Sequence, residues 1–399
     1  MTKILTQGSL RDLFACEELW RLRRLALLRP RETSPALVTG SAFHYGIEHR
    51  SAALAADRYM SDRAADMLEG DERLAVELEA VEVVAMVKAA LGKWGDDWPS
   101  RQEVEFALPL RNPATGRAAR AHAFHGVIDG FPDDPIMGSR WVDTIGEWKT
   151  ASRPTAAYFD RLRIDWQISA YCEAASLMTG RKVRRVRYRV ITKPGIKPSR
   201  GETDAEYAKR VNNRAPLASL KPRSLKALPR GTTTRDGFFM HNGAEYTRGT
   251  LDGVGCYVER ASSVQSRERL REAARAPLKR RQPDTPASYL ARCLKWYAAH
   301  PEAVTEELVV RDEQQMERWR AEAWALHLRA LDLEHAHRAS EQGKHVERLP
   351  IRNPSRCVQY GRRCDFLDLC SGLVGPEAYE VIDNPHPELD GVPPTVVRG

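Results

Sequence analysis

The pattern of apolar residues at positions 101–192 most constrains the fold of this chain. Three short segments with strand-forming residues precede one long helical segment, and another strand-like segment follows it. The predicted strands cover residues 104–110, 122–128, 141–148 and 183–191, and the predicted helix covers residues 155–178, with Gly180 as its C-terminal cap. Strands interrupted by a helix in this way indicate a mixed sheet covered by helices. We therefore expect the α/β class.

Helical spacing of apolar residues predicts further helices on both sides of this core. They cover residues 10–28, 41–60, 73–95, 264–300 and 311–341, and the second is expected to begin at Ser41. An apolar stripe along the last helix is typical of core packing. The predicted division is a helical region at 1–100, a core at 101–192, a basic insertion at 193–300, a C-terminal helix and cysteine segment at 301–383, and a flexible tail at 384–399.

The chain is basic, with a formal net charge of +8 over 399 residues. The excess is concentrated at residues 181–235, which contain 17 Lys or Arg and 3 acidic residues. A polyanion such as DNA is the natural partner of such a segment, and a solvated basic surface is the alternative. Within it Arg185, Arg187 and Arg189 alternate with apolar residues, which predicts a strand with one cationic face for DNA phosphates.

Three classes of protein are disfavoured by the sequence. No run of about 18 apolar residues is present, so we expect no membrane span. The N-terminus lacks the apolar segment of a signal peptide, which favours a cytoplasmic protein, and the 7 cysteines then indicate free thiols or metal ligands. The motif G-x-x-x-x-G-K-[ST] is missing, so a P-loop nucleotide motor is not expected.

Two acidic residues and a lysine stand on two predicted strands. Glu147 and Lys149 are two residues apart and share one strand face. Asp129 ends the preceding strand, so a hairpin would bring it and Glu147 to one cation, for which Mg²⁺ is suited. The cation would polarise a phosphoryl oxygen, and Lys149 would orient a water or offset charge on the phosphate. A surface ion pair is the alternative for Glu147 and Lys149, and Asp143 is a competing carboxylate.

A histidine on the second predicted helix is a further candidate ligand. His44 and Glu48 are four residues apart and share one helix face. An imidazole nitrogen in the ligand set would shift the metal preference toward Mn²⁺. A hydrogen-bonded, half-buried histidine without a metal is the alternative.

These residues form an ordered series of motifs: G-x-x-x-H-x-x-x-E at 40–48, G-x-x-D at 126–129, E-x-K-T at 147–150 and Q-x-x-x-Y at 167–171. The series resembles the PD-(D/E)XK nuclease superfamily, in particular the RecB-like branch with its AddB-type and CRISPR-associated nucleases. The resemblance covers residues 1–190 and a group of C-terminal cysteines. It implies a restriction-endonuclease-like mixed sheet flanked by helices.

The resemblance also implies a role for each matching residue. The implied metal ligands are His44, Asp129, Glu147 and the backbone carbonyl of Trp148. Lys149 would be the catalytic lysine beside Asp129 and Glu147. Gln167 and Tyr171, one turn apart on the following helix, would brace the site or contact DNA.

Three cysteines crowd one C-terminal segment, where Cys357, Cys364 and Cys370 have the spacing C-x6-C-x5-C. Thiolates at this density suit zinc or an iron–sulfur cluster, and Cys16 is the candidate fourth ligand. RecB-like nucleases often bind a [4Fe–4S] cluster through one cysteine before the core and three after it, so the resemblance implies that cluster here. Zinc and unligated buried thiols are the alternatives.

Together these features predict a metal-dependent DNA exonuclease that acts in recombination, repair or phage DNA processing. DNA ends or single strands are the expected substrate, and a recombination or helicase protein is a possible partner. The alternatives are a structure- or site-specific endonuclease with the same chemistry, and a DNA-binding scaffold that does not cut.

Overall fold

The computed structural model describes residues 3–31, 34–135, 138–207, 224–225, 228, 230–235, 238–241, 244–251, 254–260, 280–345, 348–359 and 362–384. The chain divides into two compact units. The first comprises Met1–Lys197 and Pro286–Gly399, and the second comprises Pro198–Thr285. All candidate site residues lie in the first unit.

The strands and helices of the described residues follow in chain order. The strands are β1 (Lys3–Thr6), β2 (Leu28–Arg29), β3 (Arg101–Arg111), β4 (Ala118–Phe131), β5 (Thr144–Ala151), β6 (Arg185–Thr192), β7 (Ser224–Leu225), β8 (Thr233–Arg235), β9 (Phe238–His241), β10 (Ala244–Leu251), β11 (Val254–Arg260), β12 (Val304–Val310), β13 (Val358–Gln359), β14 (Arg362–Arg363) and β15 (Glu380–Val381). The helices are α1 (Gln7–Ala15), α2 (Glu17–Arg24), α3 (Pro35–Glu48), α4 (Ala52–Asp62), α5 (Gly70–Trp94), α6 (Ala156–Asp160), α7 (Trp166–Thr179), α8 (Pro286–Ala299), α9 (Glu313–Glu341) and α10 (Leu367–Cys370).

A six-stranded mixed sheet forms the centre of the first unit, in the order β1-β4-β5-β6-β12, with β3 also paired to β4. The pairs β1–β4 and β5–β6 are parallel, whereas β3–β4, β4–β5 and β6–β12 are antiparallel. Helices flank this sheet, so the expected α/β class with a mixed sheet core is confirmed. The sequence patterns did not reveal β1 or β12, which are only 4 and 7 residues long.

The prediction of one continuous helix over residues 10–28 is wrong. Cys16 has extended backbone and separates α1 from α2, which ends at Arg24. The predicted start at Ser41 is also wrong, because α3 begins at Pro35. Proline suits the first helical turn, where its missing N–H has no partner to lose.

The helix predicted over residues 155–178 divides into α6 and α7 around a 3-10 turn at Arg161–Ile164. Gly180 ends α7 with a left-handed φ of 67°, as predicted. The helices predicted over residues 73–95 and 311–341 are observed as α5 and α9. Residues 264–279 and 385–399 lie outside the described part of the chain, so their predicted helix and tail stay predictions.

Apolar side chains cover both faces of the central sheet. One cluster contains Ile145 of β5 and packs against α1, α7 and α9; the other contains Trp148 of β5 and packs against α3, α4, α5 and α8. The predicted apolar stripe of α9 is buried in the first cluster, which confirms its role in core packing: Met316, Trp319, Ala323, Leu326, Ala330 and Leu333.

The second unit contains a five-stranded antiparallel sheet in the order β7-β11-β10-β9-β8. The return to strand predicted over residues 236–258 is therefore observed. The basic residues predicted to follow DNA in this segment fall largely outside the described residues: Lys209, Arg210, Lys221, Arg223 and Lys226. Across the described chain, no helix combines the length and apolar character needed to cross a membrane.

Candidate metal and active site

Strands β4 and β5 meet at one residue pair and then separate. Gly130 pairs with Gly146, and a Cβ on Gly130 would lie only 3.0 Å from the Gly146 Cα. A Cβ on Gly146 would lie 2.3 Å from the Trp148 ring, so both positions require glycine. Next to this pair, Asp129 Oδ2 accepts the Trp148 backbone N–H at 2.8 Å. The Asp129 carboxylate therefore substitutes for a strand-to-strand hydrogen bond at the point where the sheet opens.

A histidine and a second carboxylate gather around Asp129. One ligand atom from each of His44, Glu103 and Asp129 lies within 4.8 Å of the other two. His44 Nδ1 is 3.6 Å from Glu103 Oε1 and 3.7 Å from Asp129 Oδ2. One imidazole nitrogen and two carboxylate oxygens form a donor set that suits Mn²⁺ or Mg²⁺.

Glu103 was not among the predicted ligands. Glu103 lies between two residues of β3 that pair with β4, Gln102 with Gly130 and Val104 with Ile128, which brings it to the level of Asp129. Its backbone has a left-handed φ of 48°, which non-glycine residues seldom adopt and which is often found at functional sites. Sequence alone did not give the cross-strand register, and that register is what brings Glu103 into the site.

Glu147 and Lys149 lie on β5 and form an ion pair, as their shared strand face allows. The Glu147 side chain is only 1% exposed, whereas that of Lys149 is 30% exposed. Apart from Lys149, neither Glu147 oxygen has a hydrogen-bond donor among the described residues. A buried carboxylate costs free energy unless its acceptors are satisfied, so Glu147 has unused capacity to bind a cation.

The charges of the site shift the pKa values of its members. Burial, and next the charge of Asp129, raise the pKa of Glu147 above the usual carboxyl value. Burial raises the pKa of Glu103 as well. The charge of Asp129 adds to this shift, and the hydrogen bond with His44 opposes it. Burial alone would lower the pKa of Lys149, but Glu147 and Asp129 outweigh it and raise that pKa. The carboxyl groups therefore repel one another, and a bound cation would relieve this repulsion.

Gln167 and Tyr171 of α7 brace this arrangement. The Gln167 side-chain amide donates to the Tyr171 hydroxyl at 2.8 Å. Tyr171 is buried, and burial followed by the charges of Glu147 and Asp129 raises its pKa well above the usual value. Gly126 leaves room for the Phe106 ring, which a Cβ there would approach to 2.8 Å, and the Phe106 ring meets the Tyr171 ring edge to face at 5.8 Å. Of the two roles that the resemblance implied, burial favours bracing.

Two acidic residues of the sequence analysis lie at the margin of the site. Asp143 precedes β5 and forms an ion pair with Arg181 at 2.7 Å, which separates it from the metal-binding candidates. Glu48 is exposed at the end of α3 and lies 3.6 Å from His49. Its charge contributes, as the last of several causes, to the raised pKa of Glu103. Glu48 therefore influences the site without joining it.

The predicted cationic face of Arg185, Arg187 and Arg189 is wrong. Arg185 is exposed, but Arg187 is 6% exposed and Arg189 is completely buried. Both buried guanidinium groups form ion pairs with Asp97 and with Glu306. The alternation correctly placed the arginines on one face of β6, but tryptophans cover Arg189 there, and Glu306 of the neighbouring strand β12 and Asp97 beyond α5 pair with the buried arginines.

A cage of tryptophans encloses Arg189 on the sheet face opposite Glu147. Its guanidinium carbon lies 4.5 to 5.5 Å from the centres of four indole rings: Trp94, Trp98, Trp141 and Trp148. Trp148 stands between Glu147 and Lys149 in the chain, and its ring contacts that of Trp98 edge to face at 5.2 Å. The cage therefore fixes the strand that presents the two polar residues.

The four candidate cysteines come from the two ends of the chain. Cys16 lies at the break between α1 and α2, and the antiparallel pair β2–β15 joins the same two regions. Burial first, and then the charges of Glu18, Cys364 and Cys16, raise the pKa of Cys370 to about 11. Among the described residues, no three of the four sulfurs lie within 4.8 Å of one another. The thiols are thus neighbours without forming the close group of a single-ion site.

The cluster at the opening of the sheet has the groups needed for hydrolysis with a hard cation. The group of His44, Glu103 and Asp129 lies beside the Glu147–Lys149 ion pair, and the predicted ligand Glu147 falls outside the set of ligand atoms within 4.8 Å of one another. Acidic groups that repel one another provide the binding site, and the partly exposed Lys149 provides a positive charge beside it. A scan of protein-family models found no match to this chain, and no curated protein matched it.

Proposed function

We propose that this protein is a metal-dependent deoxyribonuclease, and an exonuclease in particular. The observation that carries the proposal is the convergence of Asp129, Glu147 and Lys149 with His44 at the opening of β4 and β5. The cluster has an excess of buried negative charge and unused carboxylate oxygens on Glu147. The basic chain adds support, because its net charge of +8 suits a polyanionic substrate.

The chain's residues divide the work of phosphodiester hydrolysis. His44, Glu103, Asp129 and Glu147 would hold Mg²⁺ or Mn²⁺, and the Trp148 carbonyl remains a proposed further ligand. When bound, the cation supplies a polarised phosphoryl oxygen and a water of lowered pKa. Lys149 faces the phosphate and offsets the negative charge that develops during attack. Gln167 and Tyr171 hold α7 against this face.

Lys149→Ala tests the proposal on end-labelled single- and double-stranded DNA with Mg²⁺ and with Mn²⁺. We expect cleavage by the wild type and its loss in the variant, with DNA binding retained. Lys182→Ala is the matched control, because Lys182 is 70% exposed and pairs with Glu313 outside the site. A wild type that binds DNA with either metal and never cuts would instead support the scaffold alternative.

The exonuclease assignment requires a second comparison, between linear and circular DNA of the same sequence. An exonuclease needs an end, so circular DNA should persist while linear DNA is degraded. Equal rates on the two substrates would assign an endonuclease with the same chemistry.

We also propose that Cys16, Cys357, Cys364 and Cys370 hold a [4Fe–4S] cluster. A zinc ion with bonds of about 2.3 Å would need its sulfur ligands close together, whereas the thiolates of a cluster bind different irons and lie farther apart. Burial raises the pKa of Cys370, and Cys16 and Cys364 lie near enough to raise it further, which supports one shared group at these thiols, and the metal content decides between cluster and zinc. Protein purified without oxygen should be brown and contain iron and sulfide. A colourless protein with stoichiometric zinc would contradict this proposal.

A further inference from the structure

An arginine-rich cleft lies beside the candidate active site, between the end of β5 and the C-terminal cysteine segment. Its cavity volume is about 1020 Å³, and Arg153, Arg356, Arg362 and Arg363 are among its lining residues. No acidic side chain belongs to the lining within the described part of the chain. The cleft therefore concentrates positive charge in a concave surface, which favours anions.

The arginines of the cleft differ in whether they already have a partner in the protein. All four arginines are exposed. Arg363 pairs with Asp368 at 2.6 Å and Arg356 contacts Gln359. For Arg153 and Arg362, no carboxylate among the described residues lies within ion-pair distance. These two residues consequently have the greatest capacity to bind a phosphate.

A further lysine reaches the same edge of the sheet. Lys193 directly follows β6, which runs parallel to β5, and its backbone N–H donates to the Ala151 carbonyl at 2.8 Å. Burial lowers the pKa of Lys193, and the charge of Arg362 lowers it further, while Glu82 opposes the shift. Basic residues therefore follow the carboxyl ends of the parallel strands β5 and β6, at the edge of the sheet where ligands of α/β proteins commonly bind.

The cleft is continuous with the catalytic strand. Arg153 follows Lys149 by four residues, so their Cα atoms are separated by at most about 13 Å of extended chain. About four nucleotides of a duplex strand span that distance. On the opposite wall, Arg356 and Arg363 directly precede Cys357 and Cys364, whose backbones are joined by a hydrogen bond of 2.8 Å. The cysteine segment therefore positions three of the four arginines, because Arg362 precedes Arg363 on β14.

We propose that this cleft binds the phosphate backbone of the DNA strand that is cut at Glu147 and Lys149. This assignment rests on the proposed nuclease function for the identity of the strand. No aromatic side chain lines the cleft among the described residues, so bases have no stacking partner there. Binding therefore follows the backbone and is independent of base sequence. This cleft replaces the face of β6 as the phosphate-binding surface.

The double variant Arg153→Ser/Arg362→Ser tests the cleft. Fluorescence anisotropy of a labelled oligothymidylate, measured in EDTA over a series of KCl concentrations, gives affinity without cleavage. We expect the variant to bind about tenfold more weakly near physiological salt and the log–log salt slope to shrink by about 1.4, at about 0.7 for each single-strand phosphate contact. Lysine at both positions should restore most of the slope. The control is Arg163→Ser/Arg318→Ser, which removes two arginines that are 81% and 80% exposed.

Two readouts separate the cleft from the nuclease proposal. Hydrolysis of bis(p-nitrophenyl) phosphate with Mn²⁺ reports on the catalytic cluster separately from DNA affinity, and the control variant Arg163→Ser/Arg318→Ser should leave its rate unchanged. If no protein hydrolyses this substrate or DNA, the nuclease proposal fails while the anisotropy still tests the cleft. An unchanged salt slope in the double variant, or an equal loss in the control, would overturn the cleft. Tighter binding of oligouridylate that depends on the same arginines would assign the cleft to RNA and overturn the DNA assignment.

Discussion

The two faces of β5 carry two clusters of buried charge that differ in how they are balanced. On one face, the carboxylates of Glu103 and Asp129 group with His44 beside the ion pair of Glu147 and Lys149, so three acids face one lysine and one histidine. On the other face, behind Trp148, Arg187 and Arg189 stand against Asp97 and Glu306. The second cluster has equal numbers of opposite charges, and the first has an excess of acid.

Hydrogen bonding separates the clusters in the same way. Arg189 donates to Glu306 at 2.7 Å and to the Asp97 carboxylate and carbonyl at 2.8 Å. Glu147, by contrast, has no hydrogen-bond donor beyond its ion pair with Lys149 among the described residues. A balanced and satisfied cluster stabilises the fold, whereas an unbalanced and unsatisfied one is prepared for a ligand. The comparison predicts opposite responses to substitution on the two faces.

The largest effect is expected from Glu147→Gln. The amide keeps the shape of the side chain but weakens its binding to a cation, so DNA cleavage should fall about a thousandfold, which corresponds to about 4 kcal/mol of transition-state stabilisation. Because the substitution removes a buried carboxylate with unsatisfied oxygens, the melting temperature should stay constant or rise. Cleavage rates and thermal unfolding of the same preparation provide the measurement. A large drop in melting temperature would mean that Glu147 stabilises the fold, as its counterparts on the other face do.

Arg189→Met, on the other face, should instead lower the free energy of unfolding. It leaves the partly exposed Glu306 and Asp97 with Arg187 as their remaining cation and removes the hydrogen bonds of a fully buried guanidinium, which should cost about 1–3 kcal/mol of unfolding free energy. Urea unfolding followed by tryptophan fluorescence reports on this region directly, because four indole rings surround Arg189. Arg185→Met is the matched control on the same strand, and as an exposed position it should change the free energy by less than about 0.5 kcal/mol. Equal effects of the two variants would contradict the distinction between the buried and exposed arginines.

Glu103→Gln tests whether the residue that sequence reasoning missed belongs to the unbalanced cluster. We expect the Mn²⁺ concentration for half-maximal cleavage to rise about 10- to 100-fold, the range seen when groups around a metal are altered. Glu105→Gln, two residues further along β3, should leave this concentration unchanged, because Glu105 is not part of the metal-binding group. If Glu103→Gln and Glu105→Gln change this Mn²⁺ concentration equally, Glu103 does not belong to the metal-binding group.

The sequence predicted the mixed sheet and several residues of the site, because both depend on local patterns. Motif order and strand alternation indicated Asp129, Glu147 and Lys149 together with the preceding His44. Glu103 was missed because its position depends on the register between β3 and β4. Arg189 was misassigned for a related reason: alternation shows which residues share a face, but not which element covers that face. The arginine cleft combines residues more than 200 positions apart, a proximity that only the folded chain creates.

The smallest effect is expected at a third buried cluster, which tests whether satisfied groups are structural. His122 lies 2.9 Å from both His327 and Glu334, and Lys3 pairs with Glu334 at 2.8 Å. Burial, and next the charge of His122, lower the pKa of His327 to about 4. The unfolded chain, with an ordinary histidine pKa near 6.5, therefore binds more protons than the folded protein between about pH 4 and 6.5. Stability consequently falls as the pH is lowered through this window.

His327→Phe should remove that part of the pH dependence. We expect the loss of unfolding free energy between pH 7 and pH 5 to be about 1–2 kcal/mol smaller in the variant than in the wild type. Urea unfolding at the two pH values measures the difference, and DNA cleavage at pH 7 should be unchanged. Loss of cleavage without loss of stability would place this satisfied cluster with the functional face, and the distinction by charge balance would then fail.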